Sequence, residues 1–318
     1  MKLLLTAILI FIGLNSFAQR QNVYFLKNDG RYVTERDSAD YIRIVREPDS
    51  ASTLYNVFEY YPNGKIKLIG KSSRIDPPIY EGICATFYSN GKKKEILNCS
   101  NNREVGLQYV YFPNGKVYRV DDYAAPTKYE VGDKFTMSEE YDSLGTELIK
   151  DGNGYHVEYD SHFKQVISEG PVKNGKPDGS WKGFDKDLKV KFFETYRNDT
   201  LVNGTSVGEQ GDTVKYTART VEPHYKGGTK GFMNYLVRNI HYPDYERANN
   251  IQGVVVLQFI VEKDGKISNV KVTRHVSHNL DNEAVNVIQD CKGWVPGIQY
   301  GRYARAYFSI PINFALGN

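Results

Sequence analysis

Residues 251–274 read IQGVVVLQFIVEKDGKISNVKVTR, and this stretch predicts how the C-terminal part of the chain folds. Val254–Val261 is apolar at both alternating sets of positions except Gln258, which is typical of a central strand. Lys263-Asp264-Gly265-Lys266 has the composition of a tight turn. Ile267–Arg274 then pairs back on the first strand, so an antiparallel hairpin is expected here.

Two helical patterns flank this hairpin. Before it, apolar residues recur four apart after Thr229, a candidate N-cap, and Pro243 ends the pattern. After it, Asn279 opens a second helix that Gly293 ends. The apolar stripes are Phe232, Leu236 and Ile240 in the first helix, and Leu280, Ala284, Val287, Ile288 and Cys291 in the second.

The last strand alternates cleanly over residues 303–314. Pro311 cannot donate to a hydrogen-bond ladder, which assigns this strand to a sheet edge. A long edge needs a cover, and an extended peptide that adds one more strand would provide it. Ala304, Ala306, Phe308, Ile310, Ile312 and Phe314 are expected to face inward, and Tyr303, Arg305, Tyr307 and Ser309 outward. The expected fold over residues 229–318 is α+β, with two helices on a three-stranded antiparallel sheet.

Residues 55–215 contain a different, repeated pattern. Asn63-Gly64, Asn90-Gly91 and Asn114-Gly115 each follow an aromatic pair and precede a lysine. Asn-Gly suits the positive φ of a hairpin turn, and a hairpin buries its aromatic residues only by stacking on its neighbours. The units resemble MORN-type repeats, clearly in three copies and loosely further on. A mostly-β array of stacked hairpins is therefore expected, preceded by a β segment over residues 19–54.

The N-terminus has the layout of a secretory signal peptide. Lys2 precedes the apolar run Leu3–Leu14, and Ser16-Phe17-Ala18 offers a cleavage site. We expect residues 1–18 to be the signal peptide, with export to the periplasm or cell envelope. Removal of the segment and its retention as an anchor both stay open. Cys84 and Cys99 are candidates for a cross-strand disulfide, and the alternative is buried thiols.

Composition excludes some classes of function. The net charge of +3 is too small to indicate a nucleic-acid partner.

Glu222-Pro223 and Gly227-Gly228 indicate a linker over residues 216–228.

The C-terminal residues resemble the TonB C-terminal domain. The resemblance rests on motifs that follow one another in order: Tyr242-Pro243, Ala248, Ile251-Gln252-Gly253, Asp264-Gly265-Lys266, Asn269-Val270, Leu280-Asp281, Glu283-Ala284, Trp294-Val295-Pro296-Gly297, Gly301 and Pro311-Ile312-Asn313-Phe314. It covers about residues 224–318.

The resemblance implies a function and a site. Proteins of this family bind an extended "TonB box" of outer-membrane receptors by strand addition and couple proton-motive energy to receptor opening. It implies partner contacts at Tyr242 and Pro243 and a docking edge that presents Tyr303, Arg305, Tyr307 and Ser309. The chain departs from the family in having a signal peptide and, in place of a proline-rich spacer, a repeat array.

No pattern indicates catalysis. The sequence lacks P-loop and H-E-x-x-H motifs, and no nucleophile elbow is expected. His156, Glu158, Asp160 and His162 alternate as metal ligands would, but a solvated hairpin face explains them better; likewise a turn explains His275 and His278. No enzyme activity, cofactor or metal is expected.

Two functional hypotheses follow. The first is an envelope protein that binds an outer-membrane receptor or another envelope protein through an extended peptide, linked to TonB-dependent transport. A second copy of the chain is another candidate for the same edge. The alternative is a scaffold in which the repeats bind the partner and the C-terminal domain is an accessory.

Overall fold

The structure is a computed structural model that describes residues 20–125 and 135–316. The predicted signal peptide, residues 1–18, lies outside these residues. Within them, no helix is both long enough and apolar enough to cross a membrane. The chain divides into two compact units, residues 1–153 and 154–318.

The first unit consists of consecutive antiparallel hairpins. The N-terminal β segment contributes the first three strands and a short 3-10 helix, Arg36–Ser38. The strands are β1 Gln21–Leu26, β2 Tyr32–Val33, β3 Tyr41–Arg46, β4 Tyr55–Tyr60, β5 Ile66–Ser72, β6 Tyr80–Phe87, β7 Lys93–Ser100, β8 Arg103–Glu104, β9 Gly106–Tyr111, β10 Val117–Tyr123, β11 Phe135–Tyr141 and β12 Glu147–Lys150.

The predicted Asn-Gly turns join pairs of these strands. Asn63-Gly64 lies between β4 and β5, Asn90-Gly91 between β6 and β7, and Asn114-Gly115 between β9 and β10. The glycine of each turn has a positive φ, which a residue without a Cβ adopts at little cost. The prediction of a mostly-β array of hairpins is confirmed.

A ladder of hydrogen bonds joins successive turns and explains why asparagine and lysine recur. The Asn63 amide donates to the Ser89 carbonyl at 3.1 Å, and the Lys65 ammonium donates to the Asn90 carbonyl at 2.9 Å. The same two bonds recur from the second turn to the third and from the third to the residues Ser143 and Leu144. Each turn therefore satisfies carbonyl groups of the next turn as well as shaping its own hairpin.

Cys84 and Cys99 lie on the paired strands β6 and β7. Both are buried free thiols, and Cys99 stands opposite Gly82 while Cys84 stands opposite Leu97. The neighbouring Cys99 raises the pKa of Cys84, and Cys84 in turn lowers the pKa of Cys99. The two sulfur atoms are thus close neighbours.

The second unit joins the last repeat hairpins to the C-terminal domain. The predicted linker, residues 216–228, contributes two short strands to this unit, Thr220–Val221 and His224–Tyr225. Its elements are β13 Asn153–Tyr159, β14 Val166–Lys173, β15 Lys176–Pro177, β16 Gly179–Asp185, β17 Val190–Arg197, β18 Thr200–Val207, β19 Thr213–Tyr216, β20 Thr220–Val221, β21 His224–Tyr225, α1 Gly228–Asn239, α2 Asp244–Ala248, β22 Gly253–Val261, β23 Ile267–Arg274, α3 His278–Gln289, β24 Trp294–Val295, β25 Gly297–Gln299, β26 Arg302–Ala304 and β27 Ala306–Phe314.

Aromatic rings fill the inner face of the repeat hairpins in this unit, and glycines make room for them. A Cβ on Gly204 would lie 2.2 Å from the Tyr216 ring, and one on Gly170 would lie 2.3 Å from the Trp181 ring. Any larger residue at these positions would displace the ring, so the small residue and the ring depend on each other.

The C-terminal domain has the predicted α+β architecture. Its sheet has the order β23-β22-β27, so β22 is central and β27 lies at an edge, as predicted. Helices α1 and α3 cover one face through a core that includes Phe232, Leu236, Phe259 and Leu280. The predicted helix starts are wrong by one or two positions.

The true cap of α3 is Ser277, whose hydroxyl accepts from the Leu280 N–H at 3.3 Å. In α1 the N-cap is Gly227 rather than Thr229. Asn279 lies inside the first turn of α3.

The segment after α3 packs against the last repeat hairpins. The Tyr300 ring stacks on Phe192 with centroids 4.7 Å apart, and the Ser206 hydroxyl donates to the Tyr300 carbonyl at 2.8 Å. Arg302 donates to the Ser206 hydroxyl at 3.0 Å and to the Asp212 carboxylate. The strands β20 and β21 pair with β25 and β24. Tyr300 therefore belongs to a small core with Val190, Phe192 and Tyr216 of the repeat hairpins, separate from the core of the C-terminal domain.

Candidate partner-binding edge

The free edge of β27 is a regular one. All nine residues of β27 pair with β22, from Ala306 opposite Val261 to Phe314 opposite Gly253, without a shift in register. The other edge of the sheet, β23, pairs with β22 across two register shifts, and Asn269 within it has a φ of 53°. Bulges protect an edge from pairing with another chain. Of the two edges, β27 is therefore the one open to a further strand.

Side chains alternate along β27 as predicted. Ile312 and Phe314 are buried, whereas Tyr307 and Ser309 are exposed. Tyr303 and Arg305 precede this strand: Tyr303 belongs to β26, where it pairs with Ile298, and Arg305 lies between β26 and β27. All four predicted outward residues are exposed, but they are divided between two sheets, with Tyr303 in that of β26, Tyr307 and Ser309 in that of β27, and Arg305 between them.

Two of these four side chains are held by neighbours and two are free to contact a partner. Arg305 donates to the Glu262 carboxylate at 3.2 Å, and the Ser309 hydroxyl donates to the Leu257 carbonyl at 3.2 Å. Tyr303 and Tyr307 are 58% and 67% exposed. Large exposed aromatic rings beside an open strand edge are the usual anchors of a protein interface.

Pro311 limits the usable length of this edge. Since proline has no N–H, a strand added to β27 loses any bond that would require a donor at this position. Ala306–Ile310 is the uninterrupted part of the edge. Five residues are enough for a short added strand.

Tyr242 and Pro243 lie elsewhere on the domain. The Tyr242 hydroxyl donates to the Ile251 carbonyl at 2.7 Å, and its ring packs against Phe314 with centroids 5.9 Å apart. Pro243 is the N-cap of α2. Tyr307 precedes Phe314 by seven residues, or about 23 Å of strand. The structure therefore places the two predicted groups at opposite ends of β27, and their contact with a partner stays a prediction.

Sequence reasoning missed a buried carboxylate beside these residues. Glu246 of α2 is 2% exposed and accepts from the Ser277 hydroxyl at 2.8 Å and the Asn279 amide at 3.2 Å. Burial tends to raise the pKa of Glu246, but these hydrogen bonds outweigh it and hold the pKa below its ordinary value. The carboxylate thus ties α2 to the start of α3. A glutamate four residues after Tyr242 offered no signal of this role.

The histidines considered as metal ligands in the sequence do not come together in one site. His156 is buried beside Trp181, while Asp160 and His162 lie in the turn after β13. His275 pairs with Asp281 at 2.8 Å at the start of α3. Across residues 20–125 and 135–316, no three His, Cys, Asp or Glu side chains are placed to hold a metal ion.

The fold and the edge define a class of protein: an α+β domain with an open strand edge that follows an array of β-hairpins. Residues 238–316 match the family described as Gram-negative bacterial TonB protein C-terminal. Residues 56–71 and 104–124 match the family described as MORN repeat variant. Both resemblances inferred from the sequence are confirmed, and the first indicates a cell-envelope or interaction protein. No curated protein and no solved structure matches the chain.

Proposed function

We propose that this chain is an exported, non-catalytic envelope protein that binds an extended segment of a partner protein by strand addition to Ala306–Ile310. The observation that carries the proposal is the regular, unbulged edge of β27, open along one side and flanked by exposed tyrosines. The partner class is an outer-membrane receptor or another envelope protein. The match of residues 238–316 supports this class.

Strand addition restricts the conformation and the sequence of the partner segment. Most of the binding energy comes from main-chain hydrogen bonds, and alternate side chains provide selectivity. The segment must therefore be extended and free of proline over about five residues. Its outward side chains would meet Tyr307 and Ser309, which stand on the same face of β27.

The experiment uses isotopically labelled full-length protein and synthetic peptides from extended N-terminal segments of outer-membrane receptors. Binding should protect backbone amides within Ala306–Ile310 from hydrogen exchange. The same peptides with alternate backbone nitrogens methylated should bind at least tenfold more weakly, because they lose donors while keeping their side chains. If no peptide slows exchange along this strand, the proposal is wrong.

A matched pair of variants separates side-chain from backbone recognition. Tyr307→Ser should weaken peptide binding several-fold. Tyr245→Ser removes a tyrosine of similar exposure, 64% against 67%, from α2 and should leave binding unchanged. Concentration-dependent dimerisation that the peptides reverse would identify a second copy of the chain as a competing occupant of the edge.

The scaffold hypothesis makes the repeats the partner-binding part. Truncation before the C-terminal domain is a poor test of it, because removal of Tyr300 would expose the inner-face residues Phe192 and Ser206. Substitution at Tyr307 keeps this interior intact. Partner capture from envelope extracts that is unchanged by Tyr307→Ser and by methylated competitor peptides would favour the scaffold.

A further inference from the structure

The outward face of the repeat hairpins in the second unit carries a recess of about 330 Å³. Its lining includes Tyr155 of β13, Ser180 and Lys182 of β16, Phe193 of β17, and Asn203 and Thr205 of β18. The volume is at the lower end of the range for small-molecule sites. The recess is separate from the candidate partner-binding edge, since none of its lining residues lies in β27.

Of the aromatic residues that line this recess, Trp181 belongs to the core, whereas Tyr155 and Phe193 do not. Trp181 and Phe192, which alternate with the outward residues along β16 and β17, are buried on the inner face. Phe193 and Tyr155 are 49% and 40% exposed. Folding therefore does not explain why two large rings stand on the outward face.

Three polar side chains of the recess are neutral and available. The side chains of Ser180, Asn203 and Thr205 make no hydrogen bond with any part of the chain that the structure describes. Both charged side chains of the lining are paired, Lys182 with Glu169 at 3.0 Å and Glu194 with Arg219, so these charges cancel. A strongly charged ligand finds no matching charge here.

The surrounding sheet excludes recognition by strand addition. β16 pairs with β14 and β17, and β17 pairs with β16 and β18, so their backbone groups are already used. Any ligand must be bound by side chains alone. The side chains offer two ring faces separated by hydroxyl and amide groups.

We propose that this recess binds a neutral, extended oligosaccharide. The face of an aromatic ring carries partial negative charge, which attracts the C–H groups on the flat side of a sugar ring. Phe193 and Tyr155 provide two such faces. Asn203 both donates and accepts hydrogen bonds, and Ser180 and Thr205 do the same, which matches the hydroxyl groups at the rim of a sugar. A β-1,4-linked chain is flat enough to follow the sheet.

Titration calorimetry of the full-length protein tests the proposal with three probes: chitohexaose, cellohexaose and the curved, α-linked maltohexaose. We expect at least one β-linked oligomer to bind, and Phe193→Ala and Asn203→Ala each to weaken its binding at least tenfold. Phe184→Ala is the matched control. Phe184 is on the outward face of β16 and 42% exposed but does not line the recess, so this variant should bind as the wild type does.

Three outcomes would overturn the proposal. The proposal is wrong if neither β-linked oligomer binds, if binding survives both Phe193→Ala and Asn203→Ala, or if maltohexaose alone binds. Thermal melting of each variant verifies that it folds. Tyr307→Ser should leave oligosaccharide binding unchanged, so failure of this proposal and failure of the strand-addition proposal are distinguishable.

Discussion

Arg219, which is partly exposed, forms an ion pair with the buried Glu194, 25 residues earlier in the sequence. The Arg219 Nε lies 3.0 Å from the Glu194 carboxylate, and a second guanidinium nitrogen bonds the other carboxylate oxygen. The guanidinium also lies over the rings of Phe192 and Tyr300, 5.0 and 5.5 Å from their centroids. Burial tends to lower the pKa of Arg219, but Glu194 outweighs it and raises the pKa. The pair therefore joins the linker to the repeat strand β17, and the contact of Arg219 with the Tyr300 ring extends this link to the segment after α3.

Removing one member of this pair should destabilise the second unit. Arg219→Met leaves the Glu194 carboxylate buried with only tyrosine hydroxyl groups to bond it. We expect a loss of about 2–3 kcal/mol in the free energy of unfolding, less than for a fully buried pair because Arg219 is partly exposed. Urea unfolding followed by Trp181 and Trp294 fluorescence measures this loss.

The control for this prediction is Arg238→Met, which removes an exposed arginine from α1. Its effect should stay within about 0.5 kcal/mol. The double variant Arg219→Met, Glu194→Leu should regain part of the stability, since no uncompensated charge remains. Equal stability of Arg219→Met and the wild type would show that the pair contributes nothing.

The turn ladder of the first unit should contribute measurably despite its exposure. Asn90→Ala removes the amide that donates to the Pro113 carbonyl and the carbonyl oxygen that accepts from the Lys92 N–H, both at 2.9 Å. We expect a loss of about 1 kcal/mol. Asn98→Ala, at an exposed strand position whose side chain makes no hydrogen bond within the described residues, should cost much less. Similar losses for both variants in urea unfolding would contradict the ladder's role.

The sequence predicted local features well and distant contacts poorly. The Asn-Gly turns and the alternation along the last strand are short-range patterns, and the structure confirms them. The packing of Tyr300 on Phe192 depends on residues more than a hundred positions apart, and neither carries a local signal. Glu246 was missed for the same reason, because its partners Ser277 and Asn279 follow some thirty residues later. The second helix, predicted to open at Asn279, begins at His278 and has Ser277 as its cap.

The cysteines should resist alkylation in the folded protein. Burial raises the pKa of Cys291 to about 11, so about one thiol in a thousand is ionised at pH 8. Maleimide added to native protein at pH 8 should label none of the three within minutes. After unfolding without reductant, three labels by mass spectrometry indicate free thiols, whereas one label indicates that Cys84 and Cys99 have paired. Rapid labelling of native Cys291 would contradict its buried position.

Glu246 should make the C-terminal domain sensitive to acid. Because the folded protein holds the pKa of this carboxyl below its ordinary value, the carboxylate stabilises the fold at pH values above about 4.3. That contribution is lost as pH falls through the lower, folded-state pKa. Glu246→Gln should therefore melt at a lower temperature than the wild type at pH 7, and the gap should close as the pH falls below about 4. Glu222→Gln, at an exposed position, should follow the wild type at every pH. Thermal melts monitored by circular dichroism from pH 7 to pH 3 measure the gap, and a gap that stays constant with pH would show that Glu246 acts through packing rather than through its charge.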